Sequence, residues 1–169
     1  MPRKAMFTLG ILTVSTSGFH GQREDTSGKA ISEILAPPEY ESRKYEIVPD
    51  DRRTIETRFK EWSDRDRLDL IVSTGGTGFA PTDVTPEACL AVCDRLAPGL
   101  SEAMRAKTME KTPMAMLSRS VAGIRGRTLI VTLPGSPKAV RECLEVVKPV
   151  LSHALQLLKE QAQGHPTGS

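Results

Sequence analysis

The chain has no excess of either charge, since 23 basic and 21 acidic side chains leave a formal +2 on 169 residues. A dedicated nucleic-acid binder carries a basic excess on one face, so that class is excluded as the leading reading. No run approaches the ~18 apolar residues of a membrane-spanning helix. The start tempts a secretory reading because Arg3 and Lys4 precede an apolar stretch, but Thr8, Gly10 and Thr13 interrupt it and no small-residue cleavage site follows. Aromatic residues make up only 4% of the chain, so its packing rests on aliphatic side chains. Its three cysteines, Cys89, Cys93 and Cys143, are an odd number without a C-x-x-C pair. They read as reduced, buried thiols and place the protein in a reducing compartment, the cytoplasm. A chain of this length buries roughly 70% of its unfolded surface and needs neither disulfides nor a structural metal.

Hydrophobic spacing then organises the chain as alternating strands and helices. Phe7 to Val14 reads as a buried strand ending near Ser15, and Ala30, Ile31, Ile34 and Leu35 as a helix over 27–35 stopped by Pro37 and Pro38. A short strand, Tyr45 to Val48, precedes a helix whose inner stripe is Ile55, Phe59 and Trp62; its charged residues form a solvated face. Leu68 to Ser73 is nearly all apolar, as a strand buried on both faces must be, and reads as central and parallel. Thr85-Pro86-Glu87 predicts a helix start with the Thr85 hydroxyl as cap, carrying Cys89, Val92, Cys93 and Leu96 inward. A short helix over 101–109 follows. Met114 to Val121 and Arg127 to Leu133 read as strands flanking a Gly123-Ile124-Arg125-Gly126 turn, and a long amphipathic helix runs from Val140 to Leu158, kinked at Pro149. This order predicts a single three-layer α/β domain over 1–161 with a mostly parallel central sheet, and a flexible tail over 162–169.

In such a sheet, ligands sit outside the carboxyl ends of the strands. Gly75-Gly76-Thr77-Gly78 follows the central strand and can present backbone N–H groups to a phosphate, or can simply make a tight turn. Asp83 can bind a cation or favour the helix start behind it. Leu133-Pro134-Gly135-Ser136-Pro137-Lys138 brings a hydroxyl and a lysine to a helix N-terminus, which suits an anion; an ordinary proline-rich helix start is the alternative. Asp50 and Asp51 end a third strand, either as a helix cap or as Mg²⁺ ligands.

Familiar motifs are absent. Ser27-Gly28-Lys29-Ala30 ends like a P-loop, but Arg23 replaces the first glycine and Ala30 the metal-binding hydroxyl. There is no G-x-G-x-x-G, no G-x-S-x-G, and His20, His153 and His165 lack metal-ligand spacing.

The string from Thr74 to Ala88, TGGTGFAPTDVTPEA, joined by Ile47-Val48-Pro49-Asp50-Asp51, Leu117-Ser118-Arg119, Gly123-Ile124-Arg125-Gly126 and Leu133 to Lys138, resembles the molybdopterin adenylyltransferases, which include the amino-terminal domain of gephyrin. The resemblance spans about residues 7–158. It implies the molybdopterin-binding fold, a homotrimer, and transfer of AMP from ATP to the terminal phosphate of molybdopterin, with Mg²⁺ required and pyrophosphate released. A molybdenum insertase is the implied transient partner.

By the same resemblance, Asp50 and Asp83 match the two essential acids and are the candidate Mg²⁺ ligands. Ser15, Asp25, Ser27, Thr74, Gly75, Gly76, Thr77, Gly78, Ser118, Gly135 and Ser136 match substrate-binding positions. Thr16 departs from the family, many members of which carry aspartate there. Two other readings stay open: a molybdopterin-binding paralogue without adenylyltransferase activity, and a trimeric scaffold for protein partners. Phosphoryl-type transfer between anions needs positioning and charge neutralisation more than a covalent nucleophile, which matches what the loops offer.

Overall fold

The computed structural model describes residues 6–162. Its elements are β1 (Phe7–Val14), α1 (Thr16–Phe19), α2 (Thr26–Ile34), β2 (Tyr40–Val48), α3 (Arg52–Asp64), β3 (Leu70–Thr74), α4 (Thr85–Val92), β4 (Arg95–Leu96), α5 (Pro98–Met109), a 3₁₀ turn (Pro113–Leu117), β5 (Ala122–Arg125), β6 (Thr128–Leu133) and α6 (Pro137–Ala162). The strands form one six-stranded sheet in the order β2-β1-β3-β6-β5-β4. The first four are parallel, β5 pairs antiparallel with β6, and β4 pairs antiparallel with β5 and so runs in the direction of the first four. The expected single α/β domain with a mostly parallel sheet is therefore what the chain builds. The expected tail over 162–169 lies almost wholly outside the described residues, of which no helix is long and apolar enough to cross a membrane.

Alternation along the strands makes two cores. Phe7, Leu9 and Ile11 of β1, Leu70 and Val72 of β3, and Leu129, Val131 and Leu133 of β6 meet α2, α5 and α6 on one face. Leu12, Val14, Ile71 and Ile130 point the other way, onto Ile55, Phe59 and Trp62 of α3 and Ala88, Cys89 and Val92 of α4. The chain runs from β1 outward to β2 through α2, then returns past β1 to β3 through α3 on the opposite face. The winding reverses between β1 and β3, and their carboxyl ends leave a crevice.

Four sequence expectations are corrected. Strand β2 begins at Tyr40 because its polar residues Glu41 to Lys44 occupy the sheet edge, where charge is tolerated and discourages pairing with other chains. Residues Met114 to Leu117 make a 3₁₀ turn, not a strand: Pro113 starts it, Thr112 Oγ1 accepts from Met114 N, and Met114 and Met116 are exposed. The glycine-flanked segment expected as a turn is mostly strand β5, and the connection to β6 is only Gly126-Arg127. Helix α4 stops at Val92, and Leu96 is exposed, because Asp94 N turns away to donate to Ile124 O. The cysteines are free thiols, with Cys89 and Cys143 buried and Cys93 half-buried, its Sγ 3.7 Å from that of Cys89.

Gly10 marks a tight contact between the sheet and α3, at the point where the β1–β2 register shifts. A Cβ there would stand 2.8 Å from both Leu68 Cδ1 and Trp62 Cε3. Gly10→Ala is expected to destabilise the protein by about 1–3 kcal/mol through overpacking, read as a lower urea midpoint with an unchanged slope.

Candidate functional site

Every loop leaving a parallel strand converges on the crevice between β1 and β3. After β3, Gly75 and Gly76 adopt φ of +97° and +70°, a region that side chains with a Cβ rarely enter. A Cβ on Gly75 would lie 2.2 Å from Val14 O, and one on Gly76 would lie 2.4 Å from Thr85 Oγ1. The loop thus passes tightly between the end of β1 and the start of α4.

Hydroxyl groups lock it. Thr74 Oγ1 donates to Pro134 O at 2.6 Å, Thr85 Oγ1 to Gly75 O at 2.9 Å, and Ser27 Oγ to Gly135 O at 2.5 Å. Thr85 is therefore not the cap of α4; Val84 occupies that position without a side-chain bond. Loop closure takes the hydroxyl instead.

The two strand-end acids separate in role. Asp51 caps α3, accepting from Thr54 N at 3.0 Å and Thr54 Oγ1 at 2.6 Å, and these bonds hold its carboxyl below the ordinary range. Asp50 turns toward β1. There Thr16 donates to Asp50 Oδ2 from its amide at 3.2 Å and from its hydroxyl at 2.9 Å, and Asp50 N donates to Thr16 Oγ1 at 3.0 Å. Thr16, the position that departs from the resemblance, is a clamp on Asp50.

Two adjoining cavities of about 500 and 510 Å³ open here, and Gly76, Asp83, Gly135 and Ser136 line both. One is polar, with Ser15, Asp25, Ser27, Asp50, Thr74 and Gly75 on its walls. The other carries Thr77, Gly78 and Ser118 with an apolar wall of Met104, Met114 and Leu117. All thirteen residues assigned by the resemblance thus reach one cavity or both, whereas Asp51 does not.

Several of their polar atoms are already used. Asp25 Oδ1 accepts from Gly28 N at 2.9 Å as the α2 cap, and Oδ2 accepts from Thr13 Oγ1 at 2.8 Å and from the Tyr45 hydroxyl. Burial, reinforced by Asp25, pushes the Tyr45 phenol well above its usual range, so it remains a donor. Ser15 Oγ accepts from Gly18 N, and Ser136 Oγ from Ala139 N. Lys138 is exposed and lines neither cavity, so the anion site expected at the start of α6 keeps its hydroxyl but not its lysine.

Sequence reasoning missed Arg23 in the polar cavity and Arg105 and Glu142 in the other. A signal existed for Arg105: Ser101, Met104, Arg105, Thr108 and Thr112 repeat at helical spacing, and all face the cavity. Arg105 Nη1 donates to Ser120 O at 2.7 Å, fixing the segment that carries Ser118.

The profile of a family described as a probable molybdopterin binding domain matches residues 10–153. The chain belongs to this family. A molybdopterin adenylyltransferase of Helicobacter pylori (strain J99) is 44% identical over 155 residues, covering 89% of this chain and 86% of that protein. One from Escherichia coli (strain K12) is 41% identical over 145 residues, 83% of this chain and 73% of that protein. The crystal structure of the molybdopterin biosynthesis enzyme MoaB from Thermus thermophilus is 56% identical, with a TM-score of 0.87 over 92% of this chain and 98% of that one.

Because Gly76 is required by the loop before any ligand arrives, Gly76→Val is expected to destabilise the ligand-free protein by about 1 kcal/mol or more. Thermal unfolding without ligand checks it; an unchanged midpoint would show that the loop can open without cost.

Proposed function

We propose that the protein adenylylates molybdopterin in molybdenum cofactor biosynthesis. An oxygen of the terminal molybdopterin phosphate attacks the α-phosphorus of ATP, the bond from that phosphorus to the bridging oxygen breaks, and pyrophosphate leaves. The observation that carries this reading is the pair of cavities meeting at Gly76, Asp83, Gly135 and Ser136. One has apolar walls suited to a flat heterocycle, the other hydroxyls and acids suited to phosphates, and their shared boundary is where two phosphates can be brought together. The family membership and the names of the relatives support the same chemistry.

Positioning is the main task of the chain's own residues. In this reading the acceptor phosphate would lie against the glycine loop and Ser136 at the start of α6, which line the shared boundary of the cavities. No general base is required, because that phosphate is already ionised at neutral pH. Asp50 and Asp83 suit a hard cation: each has one carboxylate oxygen occupied, Asp50 Oδ2 by Thr16 and Asp83 Oδ2 by Ala80 N, while Oδ1 carries no hydrogen bond among the described residues. Mg²⁺ suits such a pair, because it is usually held by one or two carboxylates together with water and substrate phosphates. When bound it would supply charge neutralisation between the reacting phosphates.

Asp50→Asn or Asp83→Asn is expected to lower pyrophosphate release from ATP and molybdopterin at least about 100-fold, some 2.7 kcal/mol, while molybdopterin still binds. Near-normal turnover at saturating Mg²⁺ would remove that acid from the mechanism, and binding without pyrophosphate release by the unmodified protein would leave a binding protein only. Asp51→Ala, by contrast, is expected to lower the melting temperature and keep turnover, since Asp51 caps α3 and lines neither cavity. The proposed assembly is a homotrimer, with a molybdenum insertase as the transient partner that takes up the product. Sedimentation showing a stable monomer at micromolar concentration would overturn the trimer.

A further inference from the structure

The geometry points to Arg119 as the residue that positions Asp83 for adenylyl transfer, an inference that rests on the role given to Asp83 above. Arg119 lines neither cavity. Its planar side chain instead reaches three places along the segment that delivers Asp83. Nε donates to Gly78 O at 2.8 Å, Nη2 to Asp83 O at 2.8 Å, and Nη1 to Glu87 Oε1 at 2.6 Å. Its backbone amide adds a bond to Thr77 O at 2.7 Å.

That segment needs holding. Residues 79–82 are exposed, Phe79 at 69%, so no core contact fixes them. Within the loop the closing bonds are Asp83 N to Ala80 O at 2.9 Å and Ala80 N to Asp83 Oδ2 at 3.0 Å. Arg119 ties both ends of the segment, Gly78 and Asp83, to one rigid group, and Glu87 in the first turn of α4 anchors that group in turn. The pairing holds the Glu87 carboxyl below its ordinary range, so the anchor stays charged at neutral pH. Arginine suits the task because its fork presents fixed donors in several directions, whereas a lysine offers one mobile point charge and cannot hold both carbonyls and Glu87 together. Without the fork, the oxygen of Asp83 left for the cation is no longer held between the two cavities.

The test uses the full chain with Arg119→Lys, Asp83→Asn and the double variant, and reads amide exchange without ligand as well as pyrophosphate release. In Arg119→Lys, the Ala80 and Asp83 amides are expected to exchange about tenfold faster while those of β3 stay within about twofold. Its turnover should fall about tenfold or more, with a higher Mg²⁺ concentration needed for half-maximal rate. On the Asp83→Asn background the same change should cost less than about twofold, because Arg119 acts through Asp83. Turnover of Arg119→Lys within twofold of wild type while Asp83→Asn is inactive would overturn the proposal alone, as would a loss that multiplies in full in the double variant. Wild-type turnover in Asp83→Asn would overturn the role of Asp83 and this inference with it. Should Arg119→Lys fail to fold, Glu87→Ala frees the same fork from its anchor; an unchanged Mg²⁺ requirement and unchanged Ala80 exchange in that variant would overturn the proposal.

Discussion

The chain leaving β3 passes the last carbonyl of β1 so closely that a single carbon on Gly75 would lie 2.2 Å from Val14 O. This approach sets the rest of the site. It brings the loop after β3 against the loop after β6, where a Cβ on Gly135 would stand 3.5 Å from Gly75 Cα, and it lets Thr74 and Thr85 reach the carbonyls that they hold. The positive φ values of Gly75 and Gly76 let the chain through that gap, and the Gly75 amide is used there in a bond to Leu133 O.

The loops are held by bonds from short side chains to backbone carbonyls. Each such bond adds only about 0.5–1.5 kcal/mol, yet an unmet buried carbonyl costs about 1–3. Ser27, Thr74 and Thr85 are all buried, and the bond from Thr85 to Gly75 O is wholly enclosed. Acids at the crevice divide along the same line. Asp25 has both carboxylate oxygens occupied and Asp51 caps α3 and lines neither cavity, whereas Asp50 and Asp83 line the cavities and each keep an oxygen without a partner in the described structure.

The sequence made much of this legible because the parallel strands are short, apolar and followed at once by turn residues, as in Leu70 to Gly78. It was less informative where tertiary partners decide. Thr85 precedes Pro86 as a capping threonine would, but the carbonyl of Gly75 competes for its hydroxyl and wins. Met114 to Leu117 is apolar enough for a strand, yet Pro113 and the preceding threonine turn it into a 3₁₀ segment that walls a cavity. Arg119, which organises this region, donates chiefly to backbone carbonyls distant in the chain, and such contacts leave no local pattern.

The shared boundary of the two cavities has a thermodynamic consequence. Gly76, Asp83, Gly135 and Ser136 belong to both, so whatever fills one cavity becomes part of the wall of the other. Two occupants in contact across such a boundary cannot bind independently. The factor by which the first alters the affinity of the second must equal the factor by which the second alters that of the first. Were both occupants phosphates, as proposed, their repulsion would make the coupling free energy unfavourable, and a counter-charge at the boundary would reverse its sign. The order in which the cavities fill is then set by ionic conditions as much as by the shape of either one.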